Sequence, residues 1–141
     1  MTNLYQLTTA SGPDRVWATL TDPVLTARYL QGLAATSSWR PGAPVTFRVG
    51  PHTLSGEVLA SEPPRRLSYT IAVGDGQPST YVTWEIVAYG SGSSVRLYVD
   101  DPDQPLSAGF DPEGAAVWSE VIGRLADVLA ASTVRQLLTP D

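Results

Sequence analysis

Two hydrophobic periods run along this chain, and the places where one gives way to the other divide it into three stretches. Leu4 to Thr9 (LYQLTT) is rich in strand formers and ends in the small polar group Ala10-Ser11-Gly12. Ser11 stands just ahead of Pro13, an arrangement suited to a helix start. Val16, Trp17 and Leu20 then recur at three- and four-residue spacing, which predicts a helix with one apolar stripe. Proline should end such a stripe, yet Leu25, Tyr29 and Leu30 resume it beyond Asp22-Pro23 and carry it to Gly32. The pair reads as a stop and a restart. Asp22 is placed to cap a second helix, and Pro23 takes its first position, where a missing N–H costs nothing.

From Ala34 to Asp100 the period falls to two. Val45, Phe47 and Val49 alternate with Thr46 and Arg48, and Leu54, Gly56 and Val58 share one face of the run from His52 to Ala60. Leu67, Tyr69, Ile71 and Val73 repeat the pattern, as do Val82, Trp84 and Ile86, and then Val95, Leu97 and Val99. Turn signals separate these runs: Pro41-Gly42, Gly50-Pro51, Pro63-Pro64, Gly74-Asp75-Gly76 and Gly90-Ser91-Gly92. Short strands on short turns predict an antiparallel meander with one apolar face. Residues 101–111 read as a loop, after which Asp111-Pro112 repeats the cap-then-proline start. Trp118, Val121, Ile122, Leu125, Val128 and Leu129 trace a long amphipathic helix.

The expected architecture is therefore α+β: a strand, two short helices, about six further strands, then one long helix able to cover the sheet's apolar face. A sheet curled around a single helix leaves room where the helix does not fill the curve. A pocket is expected there, with the two short helices shaping its mouth.

Composition narrows the function. A chain of 141 residues is expected to form one domain, residues 1–141. It contains no cysteine, so neither a disulfide nor a thiolate site is available. The net charge is −5, and the nine cations, all arginine, are scattered, which leaves phosphate-backbone binding without an electrostatic footing; no nucleic-acid partner is expected. Asp100, Asp101 and Asp103 cluster, but without the glycine and closing glutamate of a calcium loop they read as a solvated loop. The start MTNLYQL has neither a basic nor an apolar run, and no stretch reaches the length of a membrane span, so a cytoplasmic protein is expected.

Chemistry-bearing residues are few. His52, the only histidine, adjoins a turn and reads as a loop residue. Ser37 and Ser38 lack a nucleophile-elbow frame, and GDG and GSG read as hairpin turns rather than phosphate loops. Arg66 and Glu85 fall on the face opposite Tyr69 and Trp84, where solvent is expected. No metal or other cofactor is expected. What stands out is aromatic: Trp17, Tyr29, Phe47, Tyr69, Trp84, Phe110 and Trp118 are candidate ligand-binding residues, and core packing is the competing reading for each. Trp39, just before a turn, reads as rim.

PDRVWATLTDPVLTARYL, then Trp39-Arg-Pro-Gly42 before PVTFRV, SGEVLASEPPRRLSYTI, STYVTWEI with GSGSSVRLYV, and finally WSEVIGRLADVLA give the chain a family resemblance. It resembles the SRPBCC superfamily, also called START-like or helix-grip, in the branch similar to the C-terminal domain of heat-shock-protein ATPase activators. The resemblance spans nearly the whole chain and implies a curved antiparallel sheet of about six or seven strands around a long C-terminal helix. Members bind hydrophobic small molecules, cyclise polyketides or contact chaperones. A small hydrophobic ligand is the expected partner. A cyclase or aromatase would need polar groups inside, whereas the inward positions read Val, Phe, Leu, Tyr, Ile and Trp. A co-chaperone role uses, in the family's namesakes, a further N-terminal domain. Pairing into a homodimer is left open.

Overall fold

The computed structural model describes residues 2–72, 80–100 and 114–138. Seven strands, β1 (Thr2–Thr9), β2 (Ala34–Thr36), β3 (Pro44–Val49), β4 (His52–Glu62), β5 (Arg66–Ile71), β6 (Thr80–Tyr89) and β7 (Gly92–Asp100), form one antiparallel sheet. Their order is β1-β7-β6-β5-β4-β3-β2, so the first two strands occupy opposite edges of a curved, unclosed sheet. The helices are α1 (Pro13–Thr21), α2 (Pro23–Tyr29) and α3 (Gly114–Leu138).

That strand order explains the short helices. The chain leaves β1 at one edge and must reach β2 at the other, and α1 and α2 carry it across: α1 lies beside β6 and β7, α2 beside β2. The long helix α3 comes closest to β1 and α2. Helices therefore cover one face of the sheet, and the period-two residues fill the space beneath them. Val45, Phe47, Val58, Leu67, Tyr69, Ile71, Val82, Trp84, Ile86, Val95, Leu97 and Val99 are all buried. From the helices Val16, Leu20, Tyr29, Trp118, Val121, Leu125 and Leu129 join the same core. Burial on this scale is the main stabilising term, at about 25 cal/mol per Å² of apolar surface. On the outer face Arg66, Glu85 and Arg96 stand opposite one another across β5, β6 and β7, as the alternation requires.

The Asp22-Pro23 junction is a cap followed by a proline start. Asp22 ends α1 with its backbone N–H on the Ala18 carbonyl, while its carboxylate accepts from the Val24 amide at 2.9 Å. Thr26 then ties α2 to the sheet, donating to the Pro23 carbonyl at 3.0 Å and accepting from the Ala35 amide at 2.8 Å. Asp22→Ala is expected to cost about 1 kcal/mol in denaturant unfolding, with Asp22→Asn recovering most of it, because only the side-chain acceptor is lost. Equal stability of the alanine and asparagine variants would show that the cap contributes nothing.

Three local expectations need correction or extension. Ser11 does not cap α1; the cap position is Gly12, without a side-chain bond. The buried Ser11 instead accepts from the Ser93 hydroxyl at 2.8 Å, fastening the start of α1 to β7. Val49 is exposed, at the end of β3 beside the Gly50 turn, so the alternation stops short of it. The short edge strand β2 has too few residues for an alternation to be read. Phe110, Val73, the 74–76 turn and the Asp111-Pro112 helix start lie outside the described residues. No described helix is long and apolar enough to cross a membrane.

Candidate functional site

Four of the seven aromatic candidates meet on the covered face, each supplied by a different element. Tyr29 is the last residue of α2, Phe47 comes from β3, Tyr69 from β5 and Trp84 from β6. Trp84 and Leu67 are cross-strand partners, which places the Trp84 indole diagonally from Tyr69 on the same face. Its Nε1–H donates to the Tyr69 hydroxyl at 3.1 Å. The Tyr29 ring meets Trp84 edge to face, with centroids 5.9 Å apart and planes at 88°. Phe47 lies 5.7 Å from Tyr69 at 42°. Pairs in such geometries add about 0.5–1.5 kcal/mol each beyond simple burial. The Tyr29 hydroxyl donates to the Leu20 carbonyl at 3.0 Å, a carbonyl near the end of α1 that the helix itself does not use.

The other candidates stand apart from this cluster. Trp118 is buried in the core from α3, and Trp17 packs half-buried against it from α1, but neither joins the ring contacts. Phe110 is outside the described residues. A fifth ring, which the sequence marks only as rim, does belong. Trp39 sits edge-on to Tyr69 at 6.0 Å and 61°, and it is half-buried. The backbone explains its place. Gly42 N–H donates to the Val58 carbonyl at 2.8 Å and Val58 N–H to the Ala43 carbonyl at 2.9 Å. Val58 is itself the register partner of Tyr69, so the loop anchored there lays Trp39 over Tyr69.

The electrostatics are those of a neutral interior. Burial pushes the Tyr69 phenol up to about 12, against the smaller opposing effect of the Trp84 hydrogen bond on its oxygen. Burial also holds Tyr29 well above its ordinary value, and the nearby Tyr69 adds to this because two phenolates there would repel. Both stay protonated throughout the physiological range. Among the described side chains no Asp, Glu, His or Arg is buried, and no group of three His, Cys, Asp or Glu is placed to hold a metal ion. His52 is exposed at the start of β4. The buried hydroxyl of Thr80, at the start of β6, has no partner among the described residues. This interior therefore offers aromatic surface and neutral hydroxyls. A group able to take a proton near neutrality would have to come from elsewhere.

The profile of a family described as "Activator of Hsp90 ATPase homolog 1-like protein" matches residues 10–130 of this chain. Among curated proteins no sequence matches it. Protein MLL2253 from Mesorhizobium loti superposes with a TM-score of 0.75 at 23% identity, over 93% of this chain and 98% of that one. DynU16, a protein in the dynemicin biosynthetic locus, gives 0.74 at 24% identity, over 93% of this chain but 48% of its own length. The Aha1 dimer from Colwellia psychrerythraea gives 0.70 at 14% identity, over 92% and 96%. These likenesses are likenesses of fold over nearly the whole of this chain. With the profile covering most of its length, the chain belongs to the Activator of Hsp90 ATPase homolog 1-like family, of helix-grip fold.

Proposed function

We propose that this protein binds a small hydrophobic ligand between the concave face of the sheet and α3, against the rings of Tyr29, Phe47, Tyr69 and Trp84. The observation that carries this reading is the ring cluster itself: four aromatic side chains from four elements, all buried, with the polar tips of Tyr69 and Trp84 meeting inside it. A core needs aromatic volume but has no need of phenol and indole groups, which must each be matched with a partner when buried. Ligand sites combine this apolar lining with a few convergent polar groups. Trp17, Phe110 and Trp118 are assigned to the same lining on the strength of the sequence pattern.

A cyclase-like enzyme is the second reading, favoured by the neighbour from a biosynthetic locus. The described interior supplies no carboxylate, histidine or cation to move a proton, so binding without turnover is the better fit. Activation of a chaperone ATPase, which the family description names, would instead need a partner surface. The test is an organic extract of the purified protein analysed by mass spectrometry, paired with titration of an apolar fluorescent dye. A recovered small molecule, or saturable dye binding in the micromolar range that the aromatic variant Trp84→Leu weakens, supports the proposal. Empty extracts together with no dye binding would overturn it.

A further inference from the structure

Resting on the binding reading above, we infer that Tyr69 selects the ligand: its hydroxyl donates a hydrogen bond to an acceptor oxygen of an uncharged, flat, mainly apolar molecule such as an aromatic ketone. The Tyr69 oxygen already accepts from Trp84 Nε1–H at 3.1 Å, and among the described residues its own proton reaches no acceptor. A buried hydroxyl in that state lacks one of the bonds it would make in water, which costs free energy unless something bound completes it. The neighbouring phenol does not fill the gap: the Tyr29 hydroxyl donates to the Leu20 carbonyl, and no hydrogen bond joins it to the Tyr69 hydroxyl. Within the buried trio of Tyr29, Tyr69 and Trp84, the Trp84 N–H and the Tyr29 O–H are thus committed and the Tyr69 O–H is not.

That donor fixes the chemistry of what it recognises. Tyr69 stays a neutral donor well past physiological pH. The eight arginines with described side chains, Arg15, Arg28, Arg40, Arg48, Arg65, Arg66, Arg96 and Arg124, are all exposed, so no described cation waits to neutralise a buried anion. A carboxylate or phosphate would lose its hydration for one hydrogen bond, whereas a ketone or quinone oxygen loses little and gains a matched partner. Trp39 supports access at this point. It has φ 59, in the left-handed region that a bulky side chain rarely adopts, and it is the half-buried ring lying on Tyr69.

Fluorenone and fluorene, alike in size and shape but differing by one carbonyl oxygen, separate the two ideas. In the wild-type protein fluorenone is expected to bind about fivefold or more tighter than fluorene, the value of one neutral hydrogen bond. In Tyr69→Phe the ratio of the two affinities is expected to fall to about one, whatever the variant does to fluorene binding itself. The infrared carbonyl stretch of bound fluorenone is expected to move to lower frequency in the wild type and to return in the variant, a readout that mere loosening of the core does not produce. Should the variant fail to fold, the wild-type stretch decides alone. Fluorene binding with no ketone preference and an unshifted carbonyl would overturn the role of Tyr69 and leave hydrophobic binding standing. Binding of neither compound would count against both.

Discussion

Replacing Gly56 by alanine is expected to lower the stability of this protein by about 3 kcal/mol or more, a drop in melting temperature on the order of 10 °C. A Cβ at this position would run into the Thr70 carbonyl oxygen, with the Thr70 carbonyl carbon at 2.8 Å and Phe47 Cε2 at 3.2 Å. Neither backbone atom is free to retreat. Thr70 is held in β5 between partners on β6, its hydroxyl accepts from the Glu57 amide at 3.0 Å, and Ala72 N–H donates to the Ser55 carbonyl at 2.8 Å. The β4–β5 pairing also shifts register between Val58 and Ala60, two residues further along β4. Thr70 adjoins Tyr69 in the chain, and Phe47 packs on Tyr69, so the displaced atoms are those that frame the ring cluster. The same substitution at Gly123 provides the control. That residue is exposed in α3, with nothing within 4 Å of an added Cβ, and alanine there is expected to stabilise by up to about 1 kcal/mol. Thermal unfolding of the two variants should therefore move in opposite directions. A Gly56→Ala protein melting within about 2 °C of wild type would show that the β4–β5 pairing yields cheaply.

Strand positions were legible because burial of one face forces an alternation, and the alternation survives in the residue string. Val82, Trp84 and Ile86 are inward in the structure for the same reason that they are apolar in the sequence. Thr80 continues that phase as a buried polar residue, and its place was readable had the alternation been followed past the hydrophobic residues. The Asp22-Pro23 cap was legible because it is local, made between residues two apart. Ser11 was misread because what holds it is Ser93, far along the chain, and local pattern carries no record of that bond. Trp39 is the same failure at the site. Its position over Tyr69 follows from backbone bonds between Gly42, Ala43 and Val58, none of which has a side-chain signature. The alternation could say that Tyr69 and Trp84 point inward. That one donates to the other depends on the β5–β6 register, Leu67 against Trp84, which alternation alone does not specify.

Alkaline pH is expected to destabilise this protein steeply from about pH 10 upward, through the two buried phenols. In an unfolded chain a tyrosine ionises near 10, whereas Tyr69 in the folded protein ionises at about 12 and Tyr29 is raised in the same direction. Below pH 10 both states hold their protons, and the full stabilisation from burying neutral phenols is present. As pH rises through the interval the unfolded chain sheds protons that the folded one retains, so free energy drains toward the unfolded state. Each phenol contributes a slope of about 1.4 kcal/mol per pH unit there, and Tyr69 alone accounts for about 3 kcal/mol by pH 12. With both groups titrating, urea unfolding at about pH 9, 10 and 11 should show stability falling by up to two protons' worth per unit, with tyrosinate absorbance rising as the protein unfolds. Tyr69→Phe should reduce that slope by about one proton. The slope is the informative quantity, because the variant also strips Trp84 Nε1–H of its acceptor and so begins less stable at every pH. Stability that stays level between about pH 10 and 11 in the wild type would mean that water reaches both hydroxyls, and that the interior around Tyr29 and Tyr69 is not the dry, neutral surface to which an apolar ligand would bind.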